Sequence, residues 1–417
     1  MKAVVMKFGG NCVDGETNQA HTAQRILEAR ERGLSPVVVV SAMGRGGPYS
    51  TAGLEKYIRG IGPKIEPRER DLVMSCGEII ATVAMAHLLK TMGEKSVALT
   101  GGQAGLITDL YYGNAQVVDV QRQGLVQWLD EGYIVFVTGF QGITPKHDIT
   151  TLGEGGSDYT AVALAFTLQQ PRTGLLEESI ELDPVHIYKE VDGVMTANPD
   201  NFDDQENVRP KLLLSLTYDE MVDMSKLGAQ VMQHKAALMA RRHGLAVLIK
   251  NFATDAEGTE ISGDTEGRAL REVTGVADVG NLFVFTVPRT TARLAAQLSE
   301  DLQRDRLAHW EIASDPDKIL FAVRREKYRD VGLVIGHILF DRDLKAEISE
   351  QQWGLVSLVG QGMQGRSREV GERAHQVLQR AQVQVAGAIE GEISVSYLMK
   401  EADRKKAVRI LHAEFIT

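Results

Sequence analysis

Ala3-Val4-Val5-Met6-Lys7-Phe8-Gly9-Gly10 stands almost at the start of the chain, an apolar β-branched run that ends in a lysine and two glycines. This order reads as a strand whose C-terminal end turns sharply. Paired glycines let the backbone turn and bring its N–H groups to face an anion, and the lysine adds positive charge beside them. Parallel sheets bind ligands at the C-terminal edge of their strands, so the segment is a candidate phosphate cradle. It is not a P-loop, because GxxxxGK[ST] does not occur. A plain strand-to-loop turn is the other reading of the same residues.

Outward from this strand, two textures alternate. Short apolar runs at 36–40, 96–99 and 133–137 are separated by stretches with helical spacing at 17–32, 71–89, 117–129 and 158–168. The alternation is that of βαβ units around a mostly parallel sheet covered by helices, an α/β fold. Residues 219–243 read as one long amphipathic helix stopped by Gly244, with a strand at 246–249. A Gly-, Thr-, Asp- and Glu-rich stretch at 258–267 marks a domain boundary. Beyond it, strands at 273–287, 319–324, 355–359, 383–386 and 393–397 and helices at 291–304, 370–380 and 400–411 fall into two similar units. Each is ββαβ-like and spans about 70 residues, as in a tandem of ferredoxin-like modules.

Composition bounds the rest. Hydrophobic residues make up 43% and charged residues 24% of 417, an ordinary globular balance. The formal net charge of −10 argues against a nucleic-acid-binding surface, which needs a basic stripe. Cys12 and Cys76 are too few for a disulfide scaffold and form no CxxC pair, so a reducing cytoplasm is expected. Lys7 interrupts the first apolar run, so no secretory signal is expected, and no membrane span is expected either.

Two further loops carry chemistry. Thr150-Thr151-Leu152-Gly153-Glu154-Gly155-Gly156-Ser157-Asp158 runs into an alanine-rich helix. Ser157 suits a helix cap and Asp158 the first turn, which would suffice as a structural reading. Three glycines before a helix also make an anion site from free N–H groups. Tyr188-Lys189-Glu190-Val191-Asp192-Gly193-Val194 ends a strand in Asp-Gly before Asn198-Pro199. It reads as a turn or as a nucleotide-holding loop.

Taken in order, these segments resemble the aspartokinases of the amino-acid kinase family. Lys7-Phe8-Gly9-Gly10, Val40-Ser41-Ala42-Met43-Gly44, Gly77-Glu78, Thr138-Gly139-Phe140, the loop ending at Asp158, Val191-Asp192-Gly193-Val194 and Gly228-Ala229-Gln230-Val231 look like that family's motifs. Val359-Gly360-Gln361-Gly362-Met363 and Leu411-His412-Ala413-Glu414-Phe415 look like its tandem ACT modules. The resemblance implies a three-layer amino-acid-kinase fold over residues 1–262 and ACT modules at 270–345 and 346–417. It implies phosphoryl transfer from ATP, carrying Mg²⁺, to the side-chain carboxylate of L-aspartate. Lys7 would neutralise the phosphoryl group, Asp158 would orient Lys7, and Gly9 and Gly10 would supply backbone donors. Ser41, Glu78, Phe140, Glu154 and Ser157 would face the acceptor; Tyr188, Asp192, Val194 and Gln230 would border ATP. An ionised carboxylate needs no general base, and none is assigned. ACT modules commonly pair between chains, so a homodimer is implied.

The sequence also departs from the family pattern. Asn11-Cys12 replaces Thr-Ser, Glu154 stands where an arginine usually grips a substrate carboxylate, and Gln230 stands where a lysine usually meets ATP. Lys226 or Lys235 replaces that lysine only if helix geometry allows. Glu190 and Asn198 take positions usual for aspartate. Reversing the charge at 154 repels an acceptor with two carboxylates, so an amine-bearing acceptor and a non-catalytic sensor both stay open. In the modules, Thr290-Thr291, Ala308-His309-Trp310 and Ile389-Glu390-Gly391-Glu392 replace the usual effector-binding residues, so weak or absent inhibition by lysine or threonine is expected.

Overall fold

In a computed structural model, residues 1–62, 64–170, 180–203, 208–229, 231–263, 270–288, 292–315, 318–326 and 330–416 are described. The chain forms two compact units. The first comprises Met1–Val194, Leu212–Tyr218 and Val231–Thr265.

Its main sheet runs, in spatial order, Ser215–Thr217, Thr259–Ser262, Val247–Asn251, Val185–Lys189, Lys2–Phe8, Ser35–Val40, Ile134–Thr138 and Ser96–Leu99. A short Glu181–Leu182 strand adds to Lys2–Phe8. Neighbours are parallel except Val247–Asn251 against Thr259–Ser262. The central strand is buried from Ala3 to Phe8, which is why it reads as a nearly continuous apolar run. Val4, Met6 and Phe8 face one core, with Ile26, Met85, Leu89, Val38, Val40, Phe136 and Tyr188. Side chains alternate along a strand, so Lys7 emerges on the opposite face, where the Gly156–Gln169 helix lies. The sheet is therefore sandwiched between helices. A smaller four-stranded sheet carries Val117–Val120, Leu106–Thr108, Gln141–Ile143 and Ile149–Thr151.

The Pro67–Thr91 helix is, by length and composition alone, long and apolar enough to cross a membrane. Half of its most apolar stretch is buried inside the unit, where Met74, Ala81, Met85 and Leu89 pack, so its hydrophobicity is that of a core helix.

The second unit comprises Met195–Lys211, Asp219–Gln230 and Glu266–Thr417. Its sheet runs His309–Asp315, Lys318–Arg324, Gly275–Pro288, Trp353–Val359, Ser394–Lys400 and Val385–Glu390, with Glu347–Ile348 also pairing Gly275–Pro288. Two consecutive modules are expected from the sequence; here one strand serves both. Gly275–Val279 pairs with the Trp353–Val359 strand, and Leu282–Pro288 pairs with Lys318–Arg324. A register shift between Val279 and Leu282, with Asn281 at φ 54°, divides the two halves. Val273 and Val276 accordingly lie in one core with Val370, Tyr397 and Leu411, while Phe283, Phe285 and Val287 lie in another with Leu298 and Ile335. A division at 345/346 misses this nesting because strand periodicity carries no sign of which sheet edge each half pairs with. Thr290 and Thr291 lie outside the described residues.

The long helix expected over 219–243 is two helices, Tyr218–Lys226 and His234–His243. Gly228 breaks it: at φ 115°, its missing side chain lets the backbone press against the Asp278 carbonyl. His243 is half-buried, with its ring 3.8 Å from that of Phe166.

Candidate active site

The C-terminal ends of the parallel strands collect the functional side chains. Lys2–Phe8 has Ser35–Val40 on one side and Val185–Lys189 on the other, so the chain reverses its winding direction across this strand. Such a switch point leaves a crevice beyond the strand ends.

Lys7 is 7% exposed in its side chain and pairs with Asp158 at 2.8 Å; Asp158 is 2% exposed. Asp158 sits in the first turn of the Gly156–Gln169 helix, where the helix dipole favours an anion. Burial would raise its carboxyl, but the ammonium groups of Lys189 and Lys7 prevail and hold it below the ordinary 3.8. Its second oxygen accepts from the Gln233 backbone N–H at 3.2 Å and meets Lys189 Nζ at 3.4 Å. Burial lowers the Lys189 ammonium from its ordinary range, opposed by Asp158 and aided by Lys7. Lys189 is a residue the sequence reading left without a role. Strand parity would have found it: Lys7 lies opposite Ile187, so Lys189, two residues on, emerges on the face of Lys7.

The Gly-Gly turn departs from expectation at one glycine. The Gly9 N–H donates to the Tyr188 carbonyl at 3.2 Å, so it is spent within the chain. A Cβ on Gly9 would make only ordinary contacts, 3.7–3.8 Å from Cys12 Sγ, Tyr188 O and Lys7 Nζ. A Cβ on Gly10 would drive into the Ala42 carbonyl, and the Gly10 carbonyl accepts from Gly44 N–H at 3.0 Å. Gly10 is thus required by close packing against the next loop.

That loop brings the acceptor candidates together. Ser41 N–H donates to the Phe8 carbonyl at 3.2 Å, and Ala42 N–H to Glu78 Oε1 at 3.2 Å. Glu78 is 2% exposed, and its Oε2 has no hydrogen-bond partner among the described residues. Burial pushes its carboxyl up to about 8, against the pull of the Ala42 N–H. A buried carboxylate of this kind favours either a proton or an incoming cation. Phe140 adopts φ 69°, rare for a bulky residue, with its N–H donating to Thr160 Oγ1 at 3.1 Å. Strain of this sort clusters at functional sites.

Other expected residues take structural places. Ser157 lies inside the helix rather than at its cap, which is Gly155 at φ 74°. Its buried side chain is packed where a Cβ on Gly139 would stand. The Tyr188 ring stacks on Phe8 at 4.7 Å and 3° in the core, so only its backbone reaches the edge. Val194 is buried, its N–H bonded to Thr259 Oγ1 at 2.8 Å. Asp192 is exposed and accepts from Asn251 at 2.9 Å and Thr254 at 3.1 Å. Gln230 lies outside the described residues. Lys235 does not replace it, because its ammonium is bound to the Asn114 side chain and to the Ala115 and Leu152 carbonyls. Glu154 is exposed, and among the described residues its carboxylate has no ion-pair partner; its carbonyl accepts from Gln233 Nε2 at 2.8 Å. Cys12 is a buried packing residue whose thiol burial pushes up to about 12.

Two departures from the family pattern meet in space. Asn11 Nδ2 donates to Glu190 Oε1, which also pairs with Arg45 at 2.9 Å. The first loop, the second loop and the end of the Val185–Lys189 strand are tied by this one carboxylate.

Among the described residues no group of three or more His, Cys, Asp or Glu side chains is placed to hold a metal ion. The donors present are ammonium and amide groups, which suit phosphate oxygens.

Comparison with known proteins fits this geometry. A model of the amino acid kinase family matches residues 2–251, and an ACT domain model matches 356–415. The class is therefore an amino acid kinase core joined to ACT modules. Aspartokinase 1 of Bacillus subtilis (strain 168) is 30% identical, covering 100% of this chain and 99% of that one. The aspartokinase of Mycolicibacterium smegmatis is 31% identical, over 100% and 96%. The chain belongs to the aspartokinase family and is a kinase of that type. Its fold matches E. coli aspartokinase III in complex with aspartate and ADP, with a TM-score of 0.83 at 20% identity over 100% of both chains.

Proposed function

We propose that this chain transfers the γ-phosphoryl group of ATP to the side-chain carboxylate of L-aspartate, giving 4-phospho-L-aspartate and ADP. The bond between the γ-phosphorus and the bridging oxygen breaks, a carboxylate oxygen bonds to the phosphorus, and no proton moves. The observation that carries the reading is the buried Lys7–Asp158 pair at the sheet's C-terminal edge. Its ammonium is preorganised to meet charge spread over the equatorial phosphoryl oxygens, which is most of what phosphoryl transfer asks of a protein. Mg²⁺ arrives on the ATP phosphates. Glu78, with one buried oxygen unpartnered, receives the acceptor's ammonium group, and Ser41 borders it. The reaction takes place in the cytoplasm, in a homodimer paired through the ACT modules; sedimentation at micromolar concentration showing only monomer would remove the dimer.

The test is ADP release with and without L-aspartate, with the acyl phosphate trapped by hydroxylamine. Aspartate-dependent turnover is the expected result, and none at saturating ATP and aspartate overturns the acceptor assignment. A second reading, an amine-bearing acceptor in place of aspartate, is favoured by the uncompensated Glu154 carboxylate. Under it, Glu154→Arg raises kcat/KM for aspartate at least tenfold and lowers it for an aspartate derivative whose α-carboxylate is replaced by an aminomethyl group.

A further inference from the structure

We infer that the outer face of the Pro67–Thr91 helix is an interface with a second copy of this chain, formed by two such helices packed antiparallel about a two-fold axis. Half of the helix's most apolar stretch is buried in the first unit, and the rest lies open yet stays apolar. Leu72, Cys76, Ile80 and Val83 recur at intervals of four, four and three, the spacing that lines side chains along one helix face. Leu72 is 48%, Ile80 37% and Val83 53% exposed, and Cys76 is half-buried between them. Exposed apolar residues scattered singly are ordinary, but a continuous stripe of them marks a binding surface.

The ends of the stripe say what covers it. Before Leu72 the same face carries the exposed Glu69, and after Val83 it carries the exposed His87 and Lys90. A second copy laid antiparallel with its Ile80 on Cys76 brings Val83 onto Val73, His87 onto Glu69 and Lys90 onto Glu66, the N-cap residue. Arg68, at the acidic end, is engaged by Asp148 at 2.7 Å and by Glu69 at 2.9 Å. Each contact occurs twice, because residue i meets j wherever j meets i, so the pairing closes on itself. The apolar middle is matched with itself, the acidic end lies on the basic end, and the two helix dipoles oppose. A lipid surface offers no such match to Glu66 and Glu69.

The experiment cross-links the full chain at micromolar concentration with a short bismaleimide. Packed helix axes lie about 8–10 Å apart, and in this register the two Cys76 residues stand about 6 Å apart along them, within its reach. Cys12, the other cysteine of the chain, is buried. A covalent dimer is expected on a denaturing gel, and it reports this interface alone, whether or not the ACT modules also pair. Ile80→Glu, at an exposed position, is expected to abolish the cross-link and to halve the sedimenting mass; Val83→Lys takes the same measurements if that variant does not fold. His87→Glu sets a carboxylate against Glu69 of the other copy and is expected to weaken self-association about fivefold, and adding Glu69→Lys is expected to restore it. No cross-link in the wild type, a cross-link that survives Ile80→Glu, or a double variant no tighter than His87→Glu overturns the inference. A wild type that stays uncross-linked but floats with phosphatidylglycerol vesicles also overturns it and assigns the stripe to a membrane surface.

Discussion

Asp158 is legible in the sequence as the end of a glycine loop, and Lys7 as the end of a strand, yet neither reading says that they touch. Their pairing needs the helix to lie on the odd-numbered face of the first strand, a fact of packing. Lys189 was hidden for the same reason: its place beside Lys7 and Asp158 depends on register with a strand some 180 residues earlier. The pair predicts that Asp158→Asn leaves the buried Lys7 ammonium without the carboxylate 2.8 Å from it. Breaking such a pair costs about 3–5 kcal/mol, so a fall of roughly 10 °C in Tm is expected in calorimetry, with turnover lost more than 100-fold. Retained turnover would contradict the positioning role. Glu78 gives a prediction in pH. Its carboxyl titrates near 8 folded and at 4.5 when unperturbed. Below 4.5 both states are protonated and no penalty exists; as pH rises toward 8 the unfolded state ionises first, and stability is lost. Glu78→Gln removes that loss, so its stability relative to wild type is expected to rise by a few kcal/mol between pH 5 and 9 in urea unfolding. A parallel pH course in both proteins would mean Glu78 is ionised throughout.

Elements were read best where a single period governs them. The apolar strands and the helices over them follow from alternation and 3.6-residue spacing, while the break at Gly228 does not, because a glycine inside a helical pattern is often tolerated. The Gly9-Gly10 turn shows the finer limit. Both glycines look alike in sequence, but only Gly10 is closed in by neighbouring backbone. A methyl on Gly9 would make ordinary contacts of 3.7–3.8 Å with Cys12 Sγ, Tyr188 O and Lys7 Nζ. Gly9→Ala is therefore expected to melt within about 3 °C of wild type, a shift of roughly 1 kcal/mol, while its KM for ATP rises severalfold. A methyl on Gly10 would meet the backbone of Ala42, which is held by Glu78 and has no rotamer to yield. Gly10→Ala is expected to lose about 3 kcal/mol or more and to fall out of solution or melt markedly early. Equal melting temperatures for the two variants would refute this division of labour.

At the scale of the molecule, composition and texture place a boundary near 258–267, and a cut there looks like the natural way to separate the kinase core from the ACT modules. The second unit is not continuous in sequence, however: it includes Met195–Lys211 and Asp219–Gln230. Those segments complete it. Val276 N–H donates to Thr196 O at 2.7 Å, Ala197 packs in the core with Val276 and Leu411, and Thr196 Oγ1 bonds the buried His412 at 2.8 Å. Glu220 accepts from Thr274 Oγ1 at 2.5 Å and from Gln361 N–H at 3.1 Å, and Asp223 from Ser394 Oγ at 2.7 Å. Asn201 reaches Asp278, which also pairs with Arg404. A polypeptide of residues 263–417 would lose all the partners supplied by 195–211 and 219–230, leaving the His412 ring and the Thr274 hydroxyl unsatisfied in a core open on one side. Each such loss costs about 1–3 kcal/mol, against a whole-domain stability of about 5–15 kcal/mol. The fragment is therefore expected to be soluble poorly or not at all and to show no cooperative thermal transition by circular dichroism. Residues 195–417, which restore those segments, are expected to melt cooperatively. A sharp transition in the 263–417 fragment matching that of the longer one would mean that the two early segments lean on the modules without supporting them.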